Sequence, residues 1–178
     1  GTFLQPSKEG QAALTALVLK YLGKTSGKIA DLFCGVGTFS YPLAQKPGNR
    51  VLAVDASKEL LEGFKNSVNR QMIANIEIVC RNLFKYPLEG AELEGLAAVV
   101  FDPPRAGAKE QAARLAALPA GKRPRKLIAV SCNPETFARD AEILQNGGYR
   151  LCEVTPVDQF VYTSHCELVA LFVDEGLL

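Results

Sequence analysis

The sequence predicts an α/β fold, a seven-stranded, mostly parallel sheet with an antiparallel last strand and helices on both faces. The first observation is that short β-rich apolar runs alternate with helical patterns, as in a parallel sheet wrapped by helices. The second is that residues 157–165, between the last two runs, are too few for a helical crossover, so those strands form a hairpin. The third is a glycine-containing turn after the first strand, typical of nucleotide-binding folds.

The alternation gives bounds for each element. The predicted strands are Ile29–Cys34, Arg50–Asp55, Ile76–Cys80, Leu96–Asp102, Leu127–Ser131, Tyr149–Pro156 and Cys166–Val173. Apolar residues at helical spacing predict a first helix from Ser7 to Leu22, with Ser7 as cap and Gly23 as its end. The further predicted helices are Phe39–Gln45, Lys58–Gln71, Glu110–Leu118 and Glu135–Asn146.

Composition indicates one ordinary globular domain. The chain has 178 residues, 48% of them hydrophobic and 22% charged, which is enough to bury a substantial core. No apolar run approaches the roughly 20 residues that span a bilayer, and no signal peptide opens the chain. Lys and Arg number 20 against 19 Asp and Glu. Net charge therefore does not point to a polyanionic partner, and RNA binding would need a local surface.

Cysteine usage argues against a metal site and against disulfides. The five cysteines form no C-x-x-C pair, and His165 is the only histidine. A zinc site and a disulfide framework are therefore not indicated. We expect free thiols in a reducing, cytoplasmic environment.

Two loops have a strong charge. Residues 87–95 are acidic, and residues 119–124 overlap the basic stretch Lys122-Arg123-Pro124-Arg125-Lys126. The basic stretch is either a solvated loop or a contact to RNA phosphates.

The turn after the first strand indicates a nucleotide cofactor. In Asp31-Leu-Phe-Cys-Gly35-Val-Gly37-Thr38, the glycines permit a tight turn and a close approach of a ligand. Asp55 ends the second strand, where a carboxylate can accept hydrogen bonds from ribose hydroxyls. The third glycine of the dinucleotide fingerprint is missing, which disfavours NAD. Asn82, after the third strand, is placed to hold an adenine or is a turn residue.

Two further motifs end the fourth and fifth strands. They are Asp102-Pro103-Pro104-Arg105-Ala106-Gly107 and Ser131-Cys132-Asn133-Pro134-Glu135-Thr136. Both open onto the crevice at the carboxyl ends of the strands, where ligands bind in open α/β sheets. Prolines stiffen such loops. Cys132 lies near a helix N-terminus, which we expect to lower its thiol pKa, with Arg105 adding positive charge.

The motifs together resemble a known family. D-L-F-C-G-V-G-T-F is similar to the first motif of class I, Rossmann-like methyltransferases. With D-P-P-R-A-G, S-C-N-P-E-T-F-A-R-D and D-Q-F-V-Y-T-S-H-C-E it resembles the RNA (uracil-5)-methyltransferases, which act on tRNA or ribosomal RNA. The resemblance runs from Phe3 to near the C-terminus and implies S-adenosylmethionine as cofactor.

The resemblance also implies roles for individual residues. Cys132 matches the family nucleophile, and Glu167 matches the base in the closing H-x-E motif. Arg105 and His165 are candidate contacts to the RNA, and Asp102 lies between the cofactor and base pockets. The implied cofactor contacts are Gln5, Phe33, Gly35, Thr38, Asp55, Asn82 and Asp102. The chain departs from the family pattern at Ser7, Thr38, Ala129, Val161 and Cys166.

The chemistry explains why the reaction needs these residue types. Uracil C5 becomes nucleophilic after a thiolate adds to C6, which divides one difficult step into two easier ones. A carboxylate must then remove the C5 proton so that the cysteine can leave. The target uridine must be unpaired or flipped out of a helix.

The family's N-terminal RNA-binding and central domains are not in the sequence, so residues 1–178 are interpreted as the catalytic domain. Two alternatives remain. An amino-group methyltransferase also uses D-P-P, but usually follows it with an aromatic residue where this chain has Arg105. A non-catalytic module that holds cofactor or RNA would not need Cys132 and Glu167.

Overall fold

The computed structural model describes residues 8–158 and 166–176. It contains seven strands and six helices in this part of the chain. The strands are β1 (Lys28–Leu32), β2 (Arg50–Asp55), β3 (Ile76–Cys80), β4 (Ala98–Phe101), β5 (Lys126–Ser131), β6 (Arg150–Asp158) and β7 (Cys166–Val173). The helices are α1 (Lys8–Leu22), α2 (Ser40–Gln45), α3 (Lys58–Arg70), α4 (Ala91–Glu94), α5 (Lys109–Ala117) and α6 (Pro134–Asn146).

The strands form one sheet in the order β3-β2-β1-β4-β5-β7-β6. Strands β1 to β5 are parallel to one another, and β7 is antiparallel to both β5 and β6. The predicted mostly parallel sheet with an antiparallel last strand is therefore confirmed. The order of the strands reverses at β1 and β4, so the loops after these strands border a crevice at the carboxyl edge.

Alternate residues of each strand pack against helices on opposite faces of the sheet. One face covers Ile29 and Val51 with α1, α2 and α3, and its core includes Leu22 and Phe64. The other face covers Ala30 with α4, α5 and α6. Because each face is covered, the central strands β4 and β5 are apolar on both sides.

The predicted bounds agree with most elements but miss one. The bounds of β2, β3 and β7 coincide with the prediction, and the others differ by one or two residues. The acidic loop 87–95 contains the one-turn helix α4, which the sequence did not predict. Gly90 and Gly95 flank this helix, and its four residues carry too little periodicity to be recognised. The predicted cap, Ser7, lies outside the described residues.

The basic stretch is not simply a solvated loop, which corrects that expectation in part. The Arg123 side chain is buried, forms an ion pair with Asp174 (Nε–Oδ2 3.4 Å) and lies over the Tyr149 ring at 4.1 Å. The Lys126 ammonium donates to the carbonyls of Tyr21 and Leu22 at the end of α1. Lys122 and Arg125 are exposed.

Within residues 8–158 and 166–176, none of the helices combines the length and the apolar character that a membrane span requires.

Candidate functional site

The turn after β1 has a strained backbone and is held by a carboxylate from the end of β2. Phe33 and Gly35 have positive φ angles of 60° and 55°, a conformation that is unusual for phenylalanine and ordinary for glycine. The N–H of Gly35 donates to Asp55 Oδ2 (2.9 Å), so the end of β2 holds the turn. A Cβ added at Gly35 would meet no atom closer than Leu60 Cδ1 at 4.0 Å. The space beside Gly35 is therefore open to a ligand.

Gly37 has a different role from the one predicted. Its φ angle is 90°, and an added Cβ would lie 2.4–2.9 Å from carbons of the Phe64 ring. This glycine is required by packing against α3. Of these two glycines, only Gly35 leaves space for a ligand to approach the backbone closely.

Asp31 is a buried acid beneath this turn. Ser40 Oγ donates to its Oδ2 (2.6 Å), and Oδ1 has no hydrogen-bond partner among the described residues. Burial raises the pKa of Asp31 to about 7, the Ser40 hydroxyl opposes this, and the Asp55 carboxylate adds to it. A buried acceptor without a partner fits a ligand that carries a donor or a positive charge.

Asp55 and Asn82 end the two neighbouring strands. Asp55 Oδ1 accepts from the N–H of Ser57 (2.9 Å), and its side chain is partly exposed. A carboxylate has about four lone-pair sites, so two backbone donors leave room for ribose hydroxyls. Asn82 Oδ1 accepts from the N–H groups of Phe84 (3.0 Å) and Lys85 (3.3 Å). Asn82 is thus a turn residue, as one of its two interpretations predicts, and its amide N–H groups are unused in these bonds.

Cys132 lies in the turn between β5 and α6. The N–H of Asn133 donates to Ser131 Oγ (3.1 Å), which closes a tight turn around the cysteine. Asn133 is the N-cap of α6, its Oδ1 accepting from the Glu135 N–H (3.0 Å), and Pro134 begins the helix. The side chain of Cys132 is partly exposed.

The register of β5 and β7 brings the two predicted catalytic residues together. Ser131, the last residue of β5, is opposite Leu168 in this antiparallel pair, so Cys132 follows β5 beside the point where Glu167 precedes Leu168 in β7. The Glu167 carboxylate is close enough to disfavour the Cys132 thiolate. Asp102 follows β4, which neighbours β5. Asp102 and Glu167 line a cavity of about 90 Å³ together with Thr38, Phe39, Gln11 and Leu14.

The electrostatics of Cys132 correct the prediction of a lowered pKa. Burial raises the pKa of this thiol, and the carboxylates of Glu167 and Asp102 raise it further, while Arg105 lowers it. Burial, with Glu167 and Asp31, also raises the pKa of Asp102 well above its ordinary value. In this arrangement Cys132 is a protonated thiol at neutral pH.

A group of polar side chains on α6 holds the two catalytic loops together. The carbonyl of Arg105 accepts from Asn133 Nδ2 (3.0 Å) and Thr136 Oγ1 (2.9 Å). The N–H of Ala108 donates to Asp140 Oδ2 (2.7 Å). Arg139 Nη2 donates to the carbonyl of Ala106 (2.8 Å).

Sequence reasoning named no role for these α6 side chains. Their signal was present, because Asn133, Thr136 and Asp140 recur at intervals of three and four residues and so share one side of α6. Gln11, which lines the cavity, was also missed.

The structure brings most of the predicted site residues to the carboxyl edge. Phe33, Gly35, Asp55 and Asn82 follow β1, β2 and β3, whereas Asp102, Arg105 and Cys132 follow β4 and β5. Arg105 is exposed. Gln5 and His165 lie outside the described residues, so their predicted roles stay predictions. Within the described part of the chain, no three His, Cys, Asp or Glu residues are grouped as metal ligands.

The fold and this edge define a class I methyltransferase domain, which solved structures support. The tRNA (uracil-54, C5)-methyltransferase of Pyrococcus abyssi, solved with S-adenosyl-L-homocysteine, superimposes with a TM-score of 0.78 at 31% identity, over 97% of this chain and 40% of that chain. Magnesium protoporphyrin IX methyltransferase of Synechocystis, solved with S-adenosylmethionine, matches at TM-score 0.71 and 19% identity, over 94% and 81% of the two chains, and shows the fold alone. Both ligands agree with the cofactor that the sequence predicts.

The chain belongs to the tRNA (uracil-5-)-methyltransferase family, whose model matches residues 1–174. An RNA methyltransferase of Brucella suis is 47% identical over 172 residues, which cover 96% of this chain and 40% of that protein. The 23S rRNA (uracil(1939)-C(5))-methyltransferase RlmD of Pseudomonas entomophila is 36% identical over 97% of this chain and 37% of that protein. The chain therefore spans about two fifths of the length of these relatives.

Proposed function

We propose that this chain is the catalytic domain of an RNA methyltransferase that transfers a methyl group from S-adenosylmethionine to C5 of a uridine. The observation that carries the proposal is that Cys132, directly after β5, lies beside Glu167 of β7, whose carboxylate acts on its thiol, next to the cavity that Asp102 and Glu167 line. A nucleophile and a carboxylate at this spacing fit a reaction that first adds a thiolate to a base and later removes a proton.

The residues after β1 and β2 fit the cofactor. The open space beside Gly35, the unpartnered Oδ1 of Asp31 and the spare lone pairs of Asp55 offer a close backbone approach and acceptors for hydroxyl or ammonium groups. Asn82 has its amide N–H groups available for an adenine. When bound, S-adenosylmethionine supplies a methyl group activated by a sulfonium.

The chemistry at the base falls to Cys132 and Glu167. The Cys132 thiol, which is partly exposed, first gives its proton to water. The resulting thiolate forms a bond to uracil C6, and the electron pair of the C5–C6 double bond moves to C5 and O4 as an enolate. C5 would then bond to the methyl group of the cofactor, whose methyl–sulfur bond would break with its electron pair retained on sulfur as a neutral thioether. Glu167 removes the C5 proton, the C5–C6 double bond forms again, and the C6–Sγ bond breaks, so that Cys132 leaves as a thiolate. Arg105, which is exposed beside this turn, is placed to contact the RNA.

The assignment of the nucleophile is supported by the state of the other cysteines. Cys34 is 7% exposed, and burial together with Asp31 and Asp55 raises its pKa. A buried, protonated thiol is a poor nucleophile. Cys80 is exposed and Cys152 is partly exposed, but Cys80 ends β3 and Cys152 lies in β6, away from the D-P-P-R loop.

The proposal is tested with RNA that contains 5-fluorouracil, which blocks removal of the C5 substituent, in the full-length protein. We expect a covalent protein–RNA band on a denaturing gel, and none with Cys132→Ala. On ordinary RNA, Glu167→Gln is expected to accumulate the adduct, because the base that resolves it is missing. Cys80→Ala is the matched control and should behave as the unaltered protein does.

Other outcomes would contradict the proposal. Methyl transfer by Cys132→Ala, or an adduct at Cys34, would remove Cys132 as the nucleophile. Methylation of an exocyclic amino group without any covalent band would favour the amino-group methyltransferase. Cofactor binding with neither adduct nor methylation would favour the binding module. The cytoplasmic location and the RNA-binding and central domains remain predictions.

A further inference from the structure

The loop after β3 presents the two exposed aromatic side chains of the described chain. Phe84 is 45% exposed and Tyr86 is 65% exposed. The other Phe and Tyr residues in the described ranges are buried or partly buried. Exposed large rings on one short loop mark an interaction surface more strongly than apolar residues scattered singly do.

Hydrogen bonds hold the backbone of this loop in a fixed arrangement. The Tyr86 N–H donates to the Asn82 carbonyl (2.8 Å), which adds to the two bonds made by Asn82 Oδ1. Arg81 donates through Nε to the Tyr86 carbonyl (2.6 Å) and through Nη2 to the Pro87 carbonyl (2.7 Å). A surface ordered before binding loses less conformational entropy when a partner arrives.

The charge around the loop is positive at its tip. Lys85 lies between Phe84 and Tyr86 in the sequence, is exposed, and has no ion pair within the described ranges. The next acids along the chain are neutralised by pairing, Glu92 with Arg81 (2.6 Å) and Glu89 with Arg114 (2.9 Å). Of the acids in residues 81–95, Glu94 in α4 is the one without an ion pair in the described structure. Little unpaired negative charge in this segment therefore opposes an anion that approaches Lys85.

The loop lies on the carboxyl edge but away from the cysteine. The N–H of Arg81 donates to the Asp55 carbonyl (2.9 Å), so the loop begins beside the proposed ribose contact. In the sheet, β3 is four strand positions from β5, a separation of roughly 19 Å at the usual strand spacing. A base that contacts this loop is consequently not the base that Cys132 attacks.

We propose that Phe84, Lys85 and Tyr86 form a stacking platform for an unpaired nucleotide that flanks the target uridine. Aromatic rings stack on any base, and an interleaved lysine contacts the phosphate backbone. A protein partner fits less well, because lysine is depleted at protein–protein interfaces where aromatic residues are enriched. This inference rests on the proposed function, since it assumes an RNA substrate.

The test measures the affinity of this chain for a fluorescent, single-stranded, uridine-containing RNA by anisotropy. Tyr86→Ala and Phe84→Ala are each expected to weaken binding roughly 5- to 150-fold, the effect of removing one stacked ring. Lys85→Gln should lower the slope of log K against log salt by about 0.7. Met72→Ala is the matched control and should leave the affinity unchanged. Met72 is 88% exposed, but it lies between α3 and the start of β3, whereas the loop follows the end of β3.

A second measurement separates the platform from the cofactor site. Phe84 packs against Phe33, a predicted cofactor contact, with ring centroids 5.3 Å apart, so Phe84→Ala would also disturb the cofactor site. Tyr86→Ala is therefore the deciding variant. Its affinity for S-adenosyl-L-homocysteine, measured by calorimetry, is expected to equal that of the unaltered chain. An equal loss of cofactor affinity would overturn the inference and assign the loop to the cofactor pocket.

The remaining outcomes distinguish this inference from the proposed function. Unchanged RNA affinity in Tyr86→Ala would overturn the platform, and so would a chain that binds no RNA. The Cys132 adduct would still form with saturating 5-fluorouracil RNA in the full-length protein if only the platform were wrong. Loss of that adduct in the unaltered full-length protein would instead overturn the proposed function.

Discussion

The loop after β1 and the loops after β4 and β5 lie on the same edge of the sheet but are held by different means. The first is shaped by backbone angles and by Asp55, which accepts from the Gly35 N–H. The others are held by side chains of α6, where Asn133 and Thr136 bind the Arg105 carbonyl. The first loop leaves open space beside Gly35, whereas the others are joined into one unit.

The difference matches the two tasks that we propose. A cofactor that supplies many contacts of its own needs room and a few well-placed acceptors. A nucleophile and a base that exchange bonds with one ring need a fixed separation, because small errors in position reduce the rate strongly. Substitutions in the loop after β1 should therefore lower the stability of the fold or its affinity for the cofactor. Substitutions that remove the α6 contacts should instead change the position of Arg105 relative to Cys132.

The largest effect is expected from Gly37→Ala. A Cβ at this position would collide with the Phe64 ring, and the φ angle of 90° is unfavourable for alanine. We expect the free energy of unfolding in urea to fall by about 2–5 kcal/mol, the sum of overpacking and backbone strain. Gly35→Ala is the matched control, with a φ angle of 55° but open space, and should cost only about 1–2 kcal/mol. Equal losses would contradict the steric role of Phe64.

On the catalytic side, Asp140→Ala should have the next largest effect. The variant removes the acceptor of the Ala108 N–H and a partner of Arg139, at a cost of about 2–3 kcal/mol in the free energy of unfolding. Glu142→Ala, at an exposed site on the same helix, is the control and should be neutral within about 0.5 kcal/mol. If Asp140→Ala were as stable as its control, the α6 contacts would not join the loops.

Sequence reasoning was accurate where the determinants are local. The bounds of β2, β3 and β7 follow from short apolar runs, and the hairpin follows from a short link. It was wrong about the pKa of Cys132, because this pKa is raised by burial and by two carboxylates that are far away in sequence, Glu167 in β7 and Asp102 after β4. The burial of Arg123 has the same origin, since its partner Asp174 is 51 residues away. Pairings of this kind depend on the fold and leave no periodic signal.

The variant Asp55→Ala tests the proposed cofactor site. We expect the affinity for S-adenosyl-L-homocysteine to weaken by about 1–3 kcal/mol in calorimetry, because the hydrogen bond that we propose between Asp55 and ribose would be lost. Glu59→Ala, an exposed acid in the first turn of α3, is the control for a general loss of negative charge. Unchanged affinity in Asp55→Ala would remove Asp55 from the cofactor site.

The smallest effect concerns the ionisation of Cys132 in the free chain. Because burial and the two carboxylates raise the pKa of this thiol, its alkylation by iodoacetamide should be slow at neutral pH. The rate should rise toward a midpoint above the ordinary thiol value. Only the thiolate reacts, so the pH profile of alkylation, followed by mass spectrometry from pH 6 to 10, reports this pKa directly. Exposed Cys80 serves as an internal reference for the reagent.

Two variants test the sign of each neighbouring charge on this profile. Glu167→Gln removes a charge that disfavours the thiolate, so the midpoint should move to lower pH and alkylation at neutral pH should become faster. Arg105→Gln removes the cation that favours the thiolate, so the midpoint should move to higher pH. Each rate at neutral pH is expected to change by up to roughly ten-fold, which corresponds to one pKa unit. If Glu167→Gln left the profile unchanged, Glu167 would not lie beside the thiol, and the catalytic unit would lose the contact on which the proposed function depends.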